Sequence, residues 1–460
     1  MATAVSNVPS LELEKVAYTQ DQDQEPVPGD APPQTSLQPT VFARIPQEIF
    51  DETIDWMARP TFLGAALVCT AWYPRAMHNL YFTVRISTHA RFVLLAKLAH
   101  AYPRVRSWLA TTRTLFMADM KFPDYKMGWR PNTGPILHAV PLVFGRMMSG
   151  LQSLDIEGAV HPHMLPKFAL ALSQFKTVKS LRLRVTTPNT VSQILWIISS
   201  FPQLTDLDLH SDTFVAIPES SGNTRLSHFE PRCDIRLRRL RIQTDGFEVQ
   251  PSLTGAFVGW LVRSDICTSL DDLTVCWENS TSLPMMVGCT NRILRAAGPS
   301  LTRYLEEAVD TDSEQHANLV HNTSLRSIGF GLGLIEDAKP THRWSRLVDN
   351  LTSILSTVRS CQLEHISMAF LFKITDDGLR VDGFRKVLEN LNLMGVHDIM
   401  RRSYFERLKD VEMTIMTGHR SRLHYVSEAD VRQELLATFR ALLKPWCDRN
   451  IVRIDLSRRW

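Results

Sequence analysis

Acidic and basic residues recur two apart through the middle of the chain: Asp155 and Glu157, then Arg182 and Arg184, then Asp206, Asp208 and His210, then Arg239 and Arg241, then Asp272. A spacing of two places side chains on one face of a β-strand. The sign of the charge alternates from one group to the next. Carboxylates and guanidinium forks set out in this way do recognition rather than covalent chemistry, and the planar fork of arginine matches a carboxylate better than lysine does. Two roles are compatible. Opposite charges on parallel strands about 4.8 Å apart pair with one another, and the same row presents a charged face to a protein target. A face that is neutral within itself favours a target of mixed charge over a uniformly acidic or phosphorylated one.

Other chemistry is not spelled out. The chain has no Gly-x-Ser-x-Gly elbow for an activated serine and no His-Glu-x-x-His pair for zinc. Gly329-Phe330-Gly331-Leu332-Gly333 approaches a dinucleotide loop, but Leu334 stands where the last glycine belongs; it is read as a glycine-rich strand end. His161-Pro162-His163 has no acidic or cysteine ligand near it in sequence and is read as a solvent-exposed loop. The cysteines, at Cys69, Cys233, Cys267, Cys276, Cys289, Cys361 and Cys447, are odd in number, irregularly spaced and without a Cys-x-x-Cys pair. That pattern fits neither a disulfide framework nor a zinc knuckle, and most are expected to be buried free thiols in a reducing compartment. The expectation is a non-enzyme with no catalytic residue, no metal site and no cofactor.

The row of charges is carried by a repeat. The template is Leu-x-x-Leu-x-Leu, with Ile, Val, Phe or Met allowed at the apolar positions. It fits Leu151-Leu154-Ile156, Val178-Leu181-Leu183, Leu204-Leu207-Leu209, Leu237-Leu240-Ile242 and Leu270-Leu273-Val275. It fits again at Leu325-Ile328-Phe330, Leu363-Ile366-Met368, Leu408-Val411-Met413 and Ile451-Ile454-Leu456. Successive copies start 27, 26, 33, 33, 55, 38, 45 and 43 residues apart, and the longest gap is expected to hide a degenerate copy near Leu301. The template resembles the strand signature of leucine-rich repeats, whose period is usually about 20–29 residues. Longer gaps imply irregular repeats with full helices between strands. Helical spacing of Leu165, Phe168, Leu172 and Phe175, of Val191, Ile194, Leu195 and Ile198, and of Leu347, Leu351, Ile354, Leu355 and Val358 agrees. The resemblance implies an α/β solenoid with parallel strands inside and helices outside, each unit burying its apolar face against its neighbours. An ordinary α/β domain with coincidental leucine motifs is the alternative.

The N-terminal part reads differently. Residues 1–40, rich in Gln, Asp and Pro between Gln20 and Pro39, hold too few apolar side chains to offset chain entropy and are expected to form a disordered arm. Order is expected from Val41, with a helix opened by Pro46 and carrying Ile49, Phe50, Ile54 and Met57, an interruption at Pro60, a second helix from Phe62 to Cys69 and a third from Trp72 to about Leu80. Here Ile45-Pro46-Gln47-Glu48-Ile49, followed by Val68-Cys69-Thr70-Ala71-Trp72 and then Pro74-Arg75-Ala76 and Leu80-Tyr81-Phe82, resembles the F-box. Residues 57–62 are fewer than in most relatives, which makes a tight loop between the first two helices. The resemblance implies a three-helix F-box over 41–84 that docks on an SKP-family adaptor held by a cullin. It also implies that Ile45, Pro46, Ile49, Ile54, Leu67 and Val68 make the apolar contacts, while Cys69 and Trp72 hold the helices together. A helical connector is expected over 85–112 and the solenoid over 113–460.

Taken together, these resemblances imply the substrate-recognition subunit of an SCF-type ubiquitin ligase, with Arg182, Arg184, Asp206, Asp208, His210, Arg239 and Arg241 in the surface that binds an unknown protein substrate. A binding scaffold of the same fold outside a ligase is the other reading. Composition is compatible with either: 44% hydrophobic and 22% charged residues describe a globular chain. The net charge, 51 − 48 = +3, does not suggest nucleic acid as a partner. The N-terminus has no basic region followed by an apolar run, and no apolar stretch approaches the roughly 20 residues that span a bilayer. The expected location is cytoplasmic or nuclear, not secreted and not in a membrane.

Overall fold

The computed structural model describes residues 46–118, 136–158, 165–184, 191–210, 235–244, 251–277, 283–308, 316–334, 340–374, 392–419 and 428–459. The arm at 1–40, Ile45 and His161-Pro162-His163 lie outside the described residues. The chain divides into two units, one ending at Thr83 and one starting at Val84.

In the first unit Pro46, at φ −56°, sits at the N-cap of α1 (Gln47–Asp55), and its carbonyl accepts the Ile49 N–H at 3.1 Å. Proline suits this place because its ring pre-sets φ and no N–H is needed there. Pro60 falls in a 3₁₀ turn (Arg59–Thr61), after which α2 (Phe62–Val68) and α3 (Tyr73–Phe82) follow. The three helices stand where sequence spacing placed them. Phe50, Ile54, Phe62, Ala65, Ala66, Ala76 and Met77 fill the space between them. Trp72 lies 6.1 Å from the Phe50 ring. Asp55, at the end of α1, accepts hydrogen bonds from Arg75 Nε at 2.7 Å and Asn79 Nδ2 at 2.8 Å on α3. The bond from Arg75 holds the Asp55 carboxyl below its ordinary value of 3.8.

The second unit is built on a twelve-stranded sheet whose strands lie side by side in chain order. The strands are β1 (Thr83–Ile86), β2 (Thr114–Ala118), β3 (Ser153–Glu157), β4 (Ser180–Arg184), β5 (Asp206–Leu209), β6 (Arg239–Thr244), β7 (Asp272–Trp277), β8 (Arg303–Ala308), β9 (Ser327–Leu334), β10 (His365–Ile374), β11 (Asp410–His419) and β12 (Val452–Arg459). From β2 to β12 every neighbouring pair is parallel. Helices occupy the connections, among them α4 (His89–Ala101), α5 (Pro103–Ala110), α6 (Ile136–Phe144), α7 (Leu165–Leu172), α8 (Val191–Ser199), α9 (Pro251–Arg263), α10 (Leu283–Ala297) and α11 (Pro340–Thr357). This is a solenoid-like α/β arrangement.

Each template leucine faces the helices. Leu154, Ile156, Leu181, Leu183, Leu207, Leu209, Leu240, Ile242, Leu273 and Val275 are buried, as are the leading Leu151, Val178, Leu204, Leu237 and Leu270. Hydroxyl side chains tie one repeat to the one before. Thr177 Oγ1 donates to the Leu151 carbonyl at 2.7 Å, Ser269 Oγ to Leu237 at 3.0 Å, and Ser300 Oγ to Leu270 at 2.9 Å. In these three cases the donor is the residue just before the next template copy. Ile454 and Leu456 are only half-buried because they belong to the final strand.

Two expectations change and a third is met. The stretch 85–112 is not a purely helical connector: β1 overlaps its start, and Val84 and Ile86 are buried. The sheet therefore begins before the expected 113. The template misses β1 and β2 because Tyr81-x-x-Val84-x-Ile86 and Thr112-x-x-Leu115-x-Met117 have Tyr and Thr in the first position. The degenerate copy near Leu301 is β8, and its template positions hold Tyr304 and Glu306. Both side chains are buried, and the Tyr304 hydroxyl donates to Glu306 Oε2 at 2.9 Å. Burial raises the Glu306 carboxyl above its ordinary 4.5, against the opposing pull of that bond and of His316. Finally, among the described cysteines Cys267, Cys276 and Cys289 are buried free thiols, but Cys69 and Cys361 are exposed. Burial pushes the Cys267 thiol up to about 12, which leaves it unreactive.

Gly329-Phe330-Gly331-Leu332-Gly333 lies inside β9, away from any strand-to-helix turn. A Cβ on Gly329 would stand 2.5 Å from Leu305 Cδ1, so the end of the Leu305 side chain would have to move aside for any larger residue there. Among the described residues no helix is long and apolar enough to cross a membrane.

Candidate functional site

Two surfaces have the character of interaction sites, one in each unit. On the first unit, Pro46, Ile49, Leu67 and Val68 are exposed. Leu67 is 86% exposed, although leucine at the end of a short helix would ordinarily turn inward. The cause is local. Phe62, Ala65 and Ala66 form the inward stripe of α2, so Leu67 and Val68 fall on the opposite side. On α1 the inward stripe is Phe50 and Ile54, which leaves Ile49 outside. Exposed apolar side chains on so small a unit cost solvation free energy and mark contact positions.

Two expected roles are corrected here. Ile54 is fully buried, so it is a core residue and not a docking contact; it follows Phe50 by four residues and therefore shares its inward face. Cys69 does not hold the helices together through its side chain, which is exposed. Its backbone carbonyl does structural service instead, accepting from the Trp72 and Tyr73 N–H groups at 3.2 Å each, where α3 begins. Trp72 does pack between helices, against Phe50. Trp56, 85% exposed at the end of α1, was missed. Seven residues separate it from Ile49, two helical turns, so the spacing alone places both on one face.

On the second unit the residues between template positions share the face of the sheet opposite the buried template side chains, in register. Asp155 stands opposite Arg182 and Glu157 opposite Arg184. Arg182 stands opposite Asp208. Asp206 is opposite Arg239 and Asp208 opposite Arg241, and Arg239 is opposite Asp272. The expected same-face alternation is therefore present. Arg182 reaches Asp208 at 2.7 Å and Asp155 at 3.8 Å, and Arg239 reaches Asp206 at 3.0 Å. Arg241 pairs with Glu307, two strands away, at 3.7 Å, and Arg303 with Asp272 at 3.8 Å. His210 follows β5, and its N–H donates to the Leu183 carbonyl at 2.9 Å. Burial raises the carboxyls of Asp155 and Asp272 above 3.8, although Arg182 and Arg184 oppose it at Asp155, and Arg303 and Arg239 at Asp272.

Arg303 and Glu307 were not anticipated because they sit on the degenerate copy, where the template fails. The row resumes on the last strands. Ser367 stands opposite Glu412 and Glu412 opposite Arg453; Arg453 pairs with Asp410 at 2.6 Å. Among the described residues no three His, Cys, Asp or Glu side chains are placed to share a metal ion. Compared with known proteins, the chain matches no family model, and no curated protein matches it.

Proposed function

We propose that this chain is the substrate-recognition subunit of an SCF-type ubiquitin ligase. The first unit acts as an F-box that docks on an SKP-family adaptor held by a cullin. The repeat sheet of the second unit, of leucine-rich-repeat type, captures the protein to be ubiquitylated on its charged face. The subunit performs no covalent step; it raises the local concentration of target near the ubiquitin carrier. Such work belongs in the cytoplasm or nucleus.

The observation that carries this reading is the exposure of Pro46 and Ile49 at α1 and of Leu67 and Val68 on α2, while Phe50, Ile54, Phe62, Ala65, Ala66, Ala76 and Met77 are buried. A docking surface leaves such apolar side chains in water until the partner binds. The test is co-purification of the full chain with the adaptor, for the wild type and for Leu67→Ala/Val68→Ala. The wild type is expected to retain adaptor. Truncating well-packed interface anchors typically costs about 2 kcal/mol or more, so the variant is expected to lose adaptor while melting as the wild type does. A folded wild type that retains no adaptor would leave a binding scaffold outside a ligase.

A further inference from the structure

We propose that the charged face of the sheet receives an acidic segment of the target protein, gripped by the guanidinium groups of Arg182, Arg239, Arg241 and Arg303. The proposal rests on the reading of that face as the target-binding surface, and it reverses the expectation of a mixed-charge target drawn from sequence.

Charge count and charge height differ on this face. In register the acids and arginines cancel, but they do not stand equally far from the sheet. Aspartate carries its carboxylate one methylene from Cα, whereas arginine carries its guanidinium beyond three. The side chains of Asp155, Asp206, Asp208 and Asp272 are 18–29% exposed, while those of Arg182, Arg239, Arg241 and Arg303 are 43–72% exposed. Glu307, at 44%, stands as high as its partner Arg241. The aspartates thus form a floor and the arginines a layer above it.

A guanidinium has five N–H donors, more than one carboxylate can accept from. Arg239 meets Asp206 through Nε, and Arg182 meets Asp208 through Nε. At long range the floor and the layer cancel. At contact the nearer cationic layer dominates, because Coulomb attraction falls with distance and the carboxylates stand further from the target than the guanidinium groups do. A target meets arginine first.

Spacing narrows the class further. Arg182 and Arg241 lie in one register row, two strands apart, and Arg239 and Arg303 lie in another, also two strands apart. Two strand spacings are about 9.6 Å. A polyproline-II segment turns every third side chain to the same side, about 9.3 Å apart. An extended segment laid across the strands, with a carboxylate at every third residue, therefore meets both arginines of a row. Nucleic acid fits less well: its affinity comes from releasing counterions from phosphates, and a net charge of +3 does not give the strongly basic face that nucleic-acid binders carry.

The experiment measures fluorescence anisotropy of labelled peptides with the full chain. A repeating Glu-Pro-Pro peptide is expected to bind, a Lys-Pro-Pro peptide to bind at least about tenfold more weakly, and raised salt to weaken the complex. Arg182→Gln/Arg241→Gln is expected to weaken the acidic peptide about tenfold, with Arg239→Gln/Arg303→Gln as an independent second pair should the first shift the melting temperature. Equal binding of both peptides, or unchanged binding by both Gln pairs, overturns the proposal. So does a single-stranded oligonucleotide that binds more tightly than the acidic peptide, which would assign the face to nucleic acid. A chain that binds adaptor but no acidic peptide overturns this inference alone; one that binds the peptide but no adaptor overturns the ligase reading alone.

Discussion

Removing the buried Tyr304–Glu306 pair should make this protein more stable, and more so as the pH rises. Every other template copy ends on an apolar side chain, such as Val275 before it and Phe330 after it; β8 ends on Glu306, buried with a single hydrogen bond, from Tyr304, found among the described residues. His316 Nε2 is also buried with no hydrogen-bond partner there. The Glu306 carboxyl titrates above its ordinary 4.5 because burial disfavours the charge. The sign follows. Below 4.5 the group is protonated in both folded and unfolded chains and costs nothing as a charge. As pH rises from there toward the raised folded value, the unfolded chain releases its proton first, and the folded state loses stability relative to it. Tyr304→Phe/Glu306→Met keeps the volume of both side chains and removes both polar groups. Replacing paired buried groups in this way commonly stabilises by about 1–4 kcal/mol, and about 1–2 kcal/mol is expected in mildly alkaline buffer, or a few degrees in melting temperature. Tyr304→Phe alone should instead destabilise by about 1–3 kcal/mol, since it leaves the carboxyl without its donor. Thermal and urea melts of the four members of the cycle, in mildly alkaline buffer and below pH 4.5, make the comparison. A double variant less stable than wild type in alkaline buffer, or a gain equally large in acid, would refute the reasoning.

The first unit offers two further tests. Ile54→Ala, in the centre of a small core, is expected to cost about 2–5 kcal/mol and to open residues 46–83 to hydrogen exchange, whereas Leu67→Ala leaves exchange unchanged. Equal exchange in the two would mean that core and contact residues have been confused. Asp55→Asn should lower the stability of the same segment by no more than about 1 kcal/mol at neutral pH, because the Arg75 pair is well solvated. The lowered Asp55 value means that the pair contributes above 3.8 and is lost as pH falls through the folded value. The difference between wild type and Asp55→Asn should therefore vanish in acid, and hydrogen exchange at descending pH reads it; a difference that persists there would contradict the assignment.

Strand positions were legible in the residues because burial on one side of a strand demands an apolar residue at every second place, and a repeat states that demand again and again. Leu181-x-Leu183 and Leu240-x-Ile242 could not face water in a sheet whose helices cover that side. For the same reason the charges between them had to share the other face, and their pairing partners followed once parallel order was assumed. The three short helices were legible from Pro46, Pro60 and the spacing of Phe50 and Ile54. What the residues left open were quantities set by neighbours distant in sequence. Ile49 and Ile54 have the same chemistry, and only the placement of α3 against α1 exposes one and buries the other. Arg241 passes over Asp208, its neighbour in register, to reach Glu307, because Arg182 already occupies that carboxylate. The height of each charge above the sheet, which turns a neutral row into a cationic layer, depends on how side chains of unequal length pack side by side in three dimensions, and no one-dimensional spacing records it.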